Sequence, residues 1–275
     1  MSARADDLPA AVPFMLNGRA ATAWPGESIL QAAHRVGIEI PHLCHKDGLR
    51  ADGNCRACMV EIDGERVLAP SCCRTPTAGM RVRTDTDRAV HAQKLVVELL
   101  QSEVVEAAAS YTRSSELDHW SARLGVDKPR FNGRPQPSAD LTHAAISVNL
   151  DACIQCLRCV RACREEQAND VIGYAGRGAS ARIVFDLDDT LGDSSCVACG
   201  ECVQACPTGA LMPANDVGKH PTDRSVNSLC PYCGVGCQLT FQVADNRILF
   251  VEGRNGPANN GRLCVKGRYG FDYVT

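Results

Sequence analysis

The sequence is poor in features that would indicate two common classes of protein. Aromatic residues make up only 5% of the 275 residues, and the 29 lysines and arginines do not outnumber the 32 aspartates and glutamates. The formal net charge of −3 gives no indication of nucleic-acid binding, which usually requires a basic surplus. The scarcity of aromatic residues fits several small domains filled by bound groups better than one large packed core.

Segments that would direct the chain to or through a membrane are also missing. The first residues, MSARADDLPAAVPFML, contain no apolar core of signal-peptide length behind a basic segment, and no twin arginine. No stretch approaches the roughly 20 apolar residues that a membrane span requires. We therefore expect a cytoplasmic protein, with neither a membrane nor a nucleic acid as its partner.

Cysteine, in contrast, is abundant, with 17 residues. In a small secreted protein this number would indicate disulfides, but the chain is longer than the usual disulfide scaffold and the number is odd. Thiols that stay reduced are available as metal ligands. The cysteines form four groups, and with the patterns between them they predict a domain at 12–88, a helical connector at 89–145, a compact domain at 146–212 and a final segment at 224–275.

Local patterns outline the secondary structure of the first domain. Asn17-Gly18 predicts a hairpin between strands Phe14–Leu16 and Ala20–Trp24, and Asp63-Gly64 predicts one between Met59–Ile62 and Glu65–Leu68. A short helix is expected from Glu27 to Val36, with Pro25 before it and Gly37 as its stop. This domain is therefore β-rich with one helix.

The rest of the chain has fewer local signals. Apolar periodicity predicts a helix over 87–111, and several prolines mark 112–140 as a connector. A strand pair, Leu239–Val243 and Arg247–Val251, is expected around Asp245-Asn246. We interpret the glycine-rich stretch 173–178 (GYAGRG) as a turn, because no strand-then-helix context supports a phosphate loop.

Two cysteine quartets with the same C-x2-C-x2-C-x3-C spacing form an internal repeat, typical of bacterial ferredoxins that bind two [4Fe–4S] clusters. In those proteins the fourth cysteine of each run ligates the other cluster. We therefore predict one [4Fe–4S] cluster on Cys153, Cys156, Cys159 and Cys206, and another on Cys163, Cys196, Cys199 and Cys202. The alternative, two zinc sites, usually pairs two C-x2-C knuckles instead.

The first cysteine group has the spacing Cys44-x10-Cys55-x2-Cys58-x13-Cys72, which departs from plant-type ferredoxins. It resembles the [2Fe–2S] domain at the front of complex I large subunits, iron hydrogenases and NAD-linked formate dehydrogenases, which implies a β-grasp ferredoxin fold. Cys73 could compete for the fourth position, but the family spacing favours Cys72. With four cysteines available, His42 and His45 are expected to support the loop and not to bind iron.

The last cysteine group has the spacing Cys230-x2-Cys233-x3-Cys237-x26-Cys264. The segments CPYCGVGCQ and LCVKGRYGFDY that contain it resemble the start of the molybdenum- or tungsten-binding domain of formate dehydrogenases. The resemblance implies a third [4Fe–4S] cluster on these cysteines. It also implies that Lys266 is an electron relay between that cluster and a pterin, whereas a solvated surface lysine is the alternative.

From about residue 12 to its end, the chain resembles the N-terminal iron–sulfur region of the alpha subunit of cytoplasmic NAD-dependent formate dehydrogenases, a relative of the complex I large subunit. The resemblance implies an α+β chain that relays electrons through one [2Fe–2S] and three [4Fe–4S] clusters. It implies a Mo or W bis-pterin domain as electron donor, a diaphorase subunit holding FMN and NAD, and a small [2Fe–2S] subunit. A relay subunit of an NAD-reducing hydrogenase and a zinc-stabilised interaction module are the alternatives.

The sequence departs from that family in two respects. Many relatives hold an extra [4Fe–4S] cluster on one histidine and three cysteines, but residues 92–118 contain neither residue type. We therefore expect four clusters and a purely structural helix in this region. The sequence also ends at Thr275, where the family's pterin-binding domain would begin, so the catalytic formate site is expected outside this segment.

Overall fold

The computed structural model describes residues 11–104, 115–217 and 222–274, which belong to two compact units. One unit comprises Met1–Leu100 with Trp120–Arg130, and the other comprises Gln101–His119 with Phe131–Thr275. Both mix helices and sheets, which confirms the α+β class. Within the described ranges, none of the helices is long and apolar enough to cross a membrane.

The first unit is built on a five-stranded mixed sheet with the order β2-β1-β5-β3-β4. Its strands are β1 (Val12–Leu16), β2 (Arg19–Ala23), β3 (Met59–Ile62), β4 (Ala69–Pro70) and β5 (Arg81–Arg83). Strands β1 and β5 run parallel, and the other neighbours are antiparallel. Helix α1 (Ile29–Arg35) packs its apolar residues into the same core as these strands, which gives the β-grasp arrangement.

Helix α1 begins where its sequence provides a complete N-terminal cap. The Ser28 hydroxyl accepts a hydrogen bond from the Gln31 N–H, and the Gln31 side chain accepts one from the Ser28 N–H. Gly37 follows the helix with φ +78, a conformation that glycine adopts without the steric cost of a Cβ. The predicted helix is thus confirmed, with bounds one or two residues tighter.

The second predicted hairpin is wrong in its second strand. Met59 pairs with Pro70 and Val60 with Ala69, so residues 65–68 lie outside the sheet. The longer loop buries Ala69, which is 5% exposed, and leaves Val67 at 58% exposure. Strand β3 uses its other edge to pair with β5.

The region between the domains contains two helices. Helix α2 (Asp87–Ser102) begins at the predicted position, but in the described residues it ends at Ser102; the predicted part from 105 to 111 lies outside them. The Gln93 amide donates to the Met59 carbonyl at 2.9 Å, which ties α2 to the sheet. Helix α3 (Glu116–Leu124) lies where only a connector was predicted, and Ser115 with Asp118 forms a reciprocal cap at its start.

The repeated-motif part of the second unit uses small, paired strands. The pairs are β6 (Ile146–Val148) with β9 (Leu211–Pro213), and β7 (Ile172–Ala175) with β8 (Arg182–Phe185). The short helices α4 (Arg158–Arg161) and α5 (Glu201–Ala205) contain the third cysteine position of each repeat, and they share one core with the strands. The glycine-rich stretch is a turn only from Gly176 onward, because its first residues belong to β7.

The C-terminal part is a three-stranded antiparallel sheet with the order β10-β11-β12. Its strands are β10 (Arg224–Leu229), β11 (Gln238–Ala244) and β12 (Arg247–Gly253), followed by helix α6 (Val265–Tyr269). Asp245 and Asn246 join β11 to β12 with φ values of 49 and 59, as the hairpin prediction requires. Strand β10 was not predicted, because its mostly exposed sequence RSVNSL has no buried face.

Candidate cluster sites

The first cysteine group lies in one buried site. Its members, Cys44, Cys55, Cys58 and Cys72, are all 8% exposed or less. The Cys44 N–H donates to the Cys55 Sγ at 3.3 Å. Hydrogen bonds from the Cys55 and Cys72 thiols lower the pKa of Cys44 to about 2, while the same contacts raise the pKa values of both donors. The predicted ligands are therefore one connected group of sulfur atoms.

The competing Cys73 occupies a different environment. Its side chain is exposed, and its Sγ lies 3.5 Å from the Cys72 Sγ on the side of Gly53. The Cys72 thiol is the one that contacts Cys44 and Cys58. This geometry supports Cys72 as the fourth ligand.

The two histidines of the same loop have partners of their own. His42 Nδ1 lies 2.8 Å from the Ile40 carbonyl oxygen, and His45 Nε2 lies 3.3 Å from an Asp47 carboxylate oxygen. These contacts support the expected structural role of both histidines, as residues that hold the loop.

The two cysteine repeats have the same backbone conformation as well as the same spacing. In each, the residue before and the residue after the second cysteine are left-handed: Gln155 (φ 53) and Leu157 (φ 58) in the first, Ala198 (φ 54) and Gly200 (φ 73) in the second. Three of these four are not glycine. Such strain persists where the surrounding structure enforces it, and it is common at functional sites.

The strained conformation directs backbone donors toward sulfur. The Gln155 N–H donates to the Cys153 Sγ at 3.4 Å, and the Ala198 N–H donates to the Cys196 Sγ at the same 3.4 Å. Backbone N–H groups that point at sulfur stabilise thiolates and tune the potential of a bound cluster. The two repeats therefore share their N–H to sulfur hydrogen bonds as well as their cysteine spacing.

The four thiols predicted for one [4Fe–4S] cluster line a single cavity. Its wall consists of Cys153, Cys156, Cys159 and Cys206 together with Leu150, Ile154, Leu157, Ile183, Thr208, Ala210 and Leu211. Burial, with a contribution from neighbouring thiolates, raises the pKa of Cys153 to about 11 and that of Cys156 to about 12. Four thiolates in such a wall need a compensating cation, and the irons of a cluster supply it.

The second predicted set is also brought together, with its ligands crossed between the repeats. Cys163 follows helix α4 of the first repeat, yet it lies close enough to the second repeat for its charge to raise the pKa of Cys202. Burial first, and then the neighbouring thiols, raise the pKa values of Cys196, Cys199 and Cys202. The donor set and its burial fit a [4Fe–4S] cluster.

The C-terminal group is the most open of the four. Cys230 is buried, Cys237 is half-buried, and Cys233 and Cys264 are exposed. Burial, followed by the charges of the other three thiols, raises the pKa of Cys237. Cys264 is the residue immediately before α6, and the side chain of Lys266 is exposed on that helix. The relay role of Lys266 stays a prediction.

Helix α6 also holds residues that the sequence analysis missed. Arg268, which is 2% exposed, donates to the Cys199 carbonyl at 2.9 Å, to the Gln204 Oε1 at 2.8 Å and to the Glu201 Oε1 at 2.6 Å. The C-terminal segment is thereby fixed to the loop that carries the second repeat. The sequence held one indication of this contact: the residue after the second cysteine is Leu157 in the first repeat but Gly200 in the second.

No three histidine, cysteine or acidic side chains in the described ranges are arranged to hold a single metal ion.

Three family models match the chain in succession. A 2Fe-2S iron-sulfur cluster binding domain matches residues 9–87, a 4Fe-4S dicluster domain matches residues 152–210, and a molybdopterin oxidoreductase Fe4S4 domain matches residues 223–275. The chain therefore contains these three kinds of iron–sulfur domain.

Relatives of the chain are components of oxidoreductases. The chain is 33% identical to one component of an NADH-quinone oxidoreductase of Rhizobium meliloti, over 90% of this chain and 30% of the relative. It is 24% identical to a formate dehydrogenase-like protein of Staphylococcus haemolyticus, over 91% of this chain and 30% of the relative. The chain thus spans about a third of the length of the curated relatives it matches.

A solved structure of an NAD+-reducing [NiFe]-hydrogenase in the H2-reduced state has a similar fold. The two chains superpose with a TM-score of 0.71 at 26% identity, over 78% of this chain and 92% of the other.

Proposed function

We propose that this iron–sulfur electron-transfer protein, with its 2Fe-2S, dicluster and molybdopterin-oxidoreductase Fe4S4 domains, is the electron relay of an NAD-dependent formate dehydrogenase. The relay connects a Mo or W bis-pterin centre that oxidises formate with a flavin subunit that reduces NAD. In this proposal electrons enter at the Cys230 group, cross the dicluster domain and leave through the 2Fe-2S domain or directly to the flavin subunit.

The observation that carries the proposal is the grouping of the cysteines. In the dicluster domain, Cys206 of the second repeat lies close enough to Cys153 to raise the pKa of that thiol, and Cys163 of the first repeat does the same to Cys202, which supports two sets that exchange their fourth members. A series of redox centres in one chain serves electron transfer. The residues proposed as ligands are Cys44, Cys55, Cys58 and Cys72 for [2Fe–2S], and Cys153, Cys156, Cys159 and Cys206, then Cys163, Cys196, Cys199 and Cys202, then Cys230, Cys233, Cys237 and Cys264 for three [4Fe–4S] clusters.

Each cluster, when bound, accepts and releases a single electron at a potential that the protein sets, within a known span of roughly −700 to +450 mV. The chain's own part is to hold the sulfurs, to exclude water and to direct N–H donors at them. The Gln155 and Ala198 N–H groups have this position beside Cys153 and Cys196. Electron transfer requires no general base or nucleophile in these domains.

The proposed partners follow from the two ends of the relay. The Fe4S4 domain at residues 223–275 supports a neighbouring pterin domain, which would hold Mo or W close to the Cys230 group. Similarity to NADH-linked and NAD+-reducing enzymes supports a diaphorase subunit with FMN and NAD, together with a small [2Fe–2S] subunit. Lys266, exposed on α6, is proposed to face the pterin side of that cluster.

A relay subunit of an NAD-reducing hydrogenase is the second candidate. The superposition on the NAD+-reducing [NiFe]-hydrogenase covers 92% of that chain and favours this interpretation. The match of residues 223–275 to a molybdopterin oxidoreductase domain favours the first candidate. Affinity purification of the native complex distinguishes them, because Mo or W with formate-dependent NAD reduction supports the first, and nickel with hydrogen-dependent reduction supports the second.

The first test is the content of iron and acid-labile sulfide in the anaerobically purified chain, with low-temperature electron paramagnetic resonance after reduction. We expect about 14 iron atoms, one slowly relaxing [2Fe–2S] signal and several fast-relaxing [4Fe–4S] signals. About four zinc ions and no reducible signal would instead indicate a zinc-stabilised interaction module. In the native complex, Cys233→Ser should abolish formate-to-NAD turnover, and survival of that turnover would refute the assigned route.

A further inference from the structure

The C-terminal helix α6 packs directly on the loop of the second cysteine repeat, at Gly200. A Cβ added to Gly200 would lie 2.1 Å from the Arg268 Cδ and 2.5 Å from the Tyr269 hydroxyl oxygen. The equivalent residue of the first repeat is Leu157, which also has a positive φ. The second repeat therefore needs glycine at this position for a steric reason, because α6 occupies the space.

The hydroxyl group of Tyr269 is left in an unusual environment by this packing. Its oxygen is buried and has no hydrogen-bond partner among the described residues. The ring packs against the core that contains Cys163 and Cys202. A tyrosine hydroxyl carries its proton at neutral pH, so the group is available as a hydrogen-bond donor. A buried hydroxyl without an acceptor is costly, which indicates that its acceptor is a bound group.

We propose that the Tyr269 hydroxyl donates a hydrogen bond to a sulfur atom of the [4Fe–4S] cluster held by Cys163, Cys196, Cys199 and Cys202. This inference rests on the proposed cluster assignment and adds a positioning residue to it, supplied by a different domain. A donor at sulfur stabilises the reduced cluster, which carries one more negative charge than the oxidised one, and so raises its potential. The C-terminal domain would thus set the potential of a cluster that the neighbouring dicluster domain holds.

The test uses Tyr269→Phe in the full, anaerobically purified chain, followed by a redox titration monitored by electron paramagnetic resonance. The signal of this cluster is identified as the one that Cys199→Ser removes. At the wild-type midpoint, we expect a several-fold lower ratio of reduced to oxidised cluster in the variant; a tenfold change corresponds to about 59 mV for one electron. The other clusters should keep their potentials.

Tyr273→Phe is the matched control, because Tyr273 lies in the same segment and is 62% exposed. It should leave every potential unchanged. An unchanged potential in Tyr269→Phe with full iron content overturns the proposal, and so does an equal shift of all three [4Fe–4S] clusters. A wild-type chain without four-iron clusters would instead overturn the proposed function.

A second variant addresses the case in which Tyr269→Phe loses its cluster. Site-specific 3,5-difluorotyrosine at position 269 keeps the ring and its hydroxyl but makes the hydroxyl a stronger donor. The proposal expects a higher potential for this cluster, opposite in sign to the phenylalanine variant. A potential equal to that of the wild type in this protein would overturn the proposal.

Discussion

Arg268 and Glu201 form a buried ion pair at 2.6 Å, with side chains that are 2% and 8% exposed. Glu201 lies between two cysteines of the second repeat, and Arg268 lies on helix α6. The Glu201 carboxylate also accepts from the Leu263 N–H at 3.2 Å. A charge pair with such partners fixes the C-terminal segment to the cluster loop and leaves neither charge exposed to solvent.

Removal of one charge from this pair should be strongly destabilising. Arg268→Ala would leave Glu201 buried without its cation, and breaking a buried pair in this way costs roughly 3–5 kcal/mol of the free energy of unfolding. Urea unfolding of the iron-loaded chain measures this loss. The control is Arg182→Ala, which removes an exposed pair with Asp188 and should cost less than about 1 kcal/mol. Similar losses in the two variants would contradict the role of the buried pair.

A methyl group at Gly200 should disturb the docking of α6. Gly200→Ala combines the cost of a left-handed alanine, about 1–2 kcal/mol, with overpacking against Arg268, about 1–3 kcal/mol. Gly178→Ala isolates the first cost, because Gly178 has φ +57 and nothing lies within 4 Å of an added Cβ. We therefore expect the larger loss of unfolding free energy at position 200, measured by urea unfolding. Equal losses would show that α6 accommodates the added methyl group without cost, and would contradict the predicted overpacking.

The two adjacent cysteines at 72 and 73 should respond differently to substitution. Cys72→Ser removes a thiol that contacts Cys44 and Cys58, so about two iron atoms and the slowly relaxing [2Fe–2S] signal should be lost. Cys73→Ser changes an exposed thiol and should leave the iron content unchanged. Iron analysis of both variants decides the fourth ligand. The reverse pattern would transfer that role to Cys73.

His143 should make the stability of the second unit depend on pH. Burial lowers the pKa of His143, against the opposite effect of Asp140, and its Nδ1 accepts from the Ala145 and Ile146 N–H groups at 3.1 and 3.2 Å. The unfolded chain therefore binds the proton more readily than the folded one, and stability falls as the pH drops below about 6.5, the usual pKa of histidine.

The comparison is between the wild type and His143→Asn, whose amide oxygen can accept in place of Nδ1 without titrating. Urea unfolding at about pH 7.5 and about pH 5.5 should show a larger loss of stability for the wild type. The same loss in both proteins would assign the pH dependence to other groups.

Removal of iron should unfold much of the chain. Without iron, thiols such as Cys156 and Cys159 lie in an apolar cavity that raises their pKa values. Cluster binding also contributes directly to the folding free energy of small domains. Far-ultraviolet circular dichroism before and after anaerobic chelation measures the effect. A native-like spectrum without iron would contradict this prediction.

The features that could be predicted from sequence are the ones that depend on neighbouring residues. Asn17-Gly18 and Asp245-Asn246 fix their hairpins through local backbone preferences, and both hairpins are present. Strand β10 could not be predicted in the same way, because it pairs with β11 while its own side chains remain largely exposed. Helix α3 had a local signal, the cap of Ser115 with Asp118, but the prolines that follow it at 129, 135 and 137 led to the prediction of a connector.

The same distinction applies to the candidate sites. Cysteine spacing, together with the family resemblance for the first and last sets, predicted four sets of thiols, because the ligands of such clusters lie largely within short sequence motifs. Arg268 and Tyr269 gave no such signal, because an arginine is ordinarily exposed and its burial here depends on Glu201, 67 positions earlier in the chain. The one indication in the sequence of the contact between α6 and the second repeat was Gly200, which stands where the first repeat has a leucine.

The proposed exchange of the ligands Cys163 and Cys206 between the two repeats has a consequence for how this domain can be divided. Strand β6 at its start pairs with β9 at its end, so the first and last parts of the domain are joined in the sheet as well as at the sulfurs. A cut between the repeats would give two fragments that each contain four cysteines, yet with the proposed ligands neither fragment would contain a whole binding site. With those ligands the doubled motif is an interlocked pair, and its halves are not interchangeable modules.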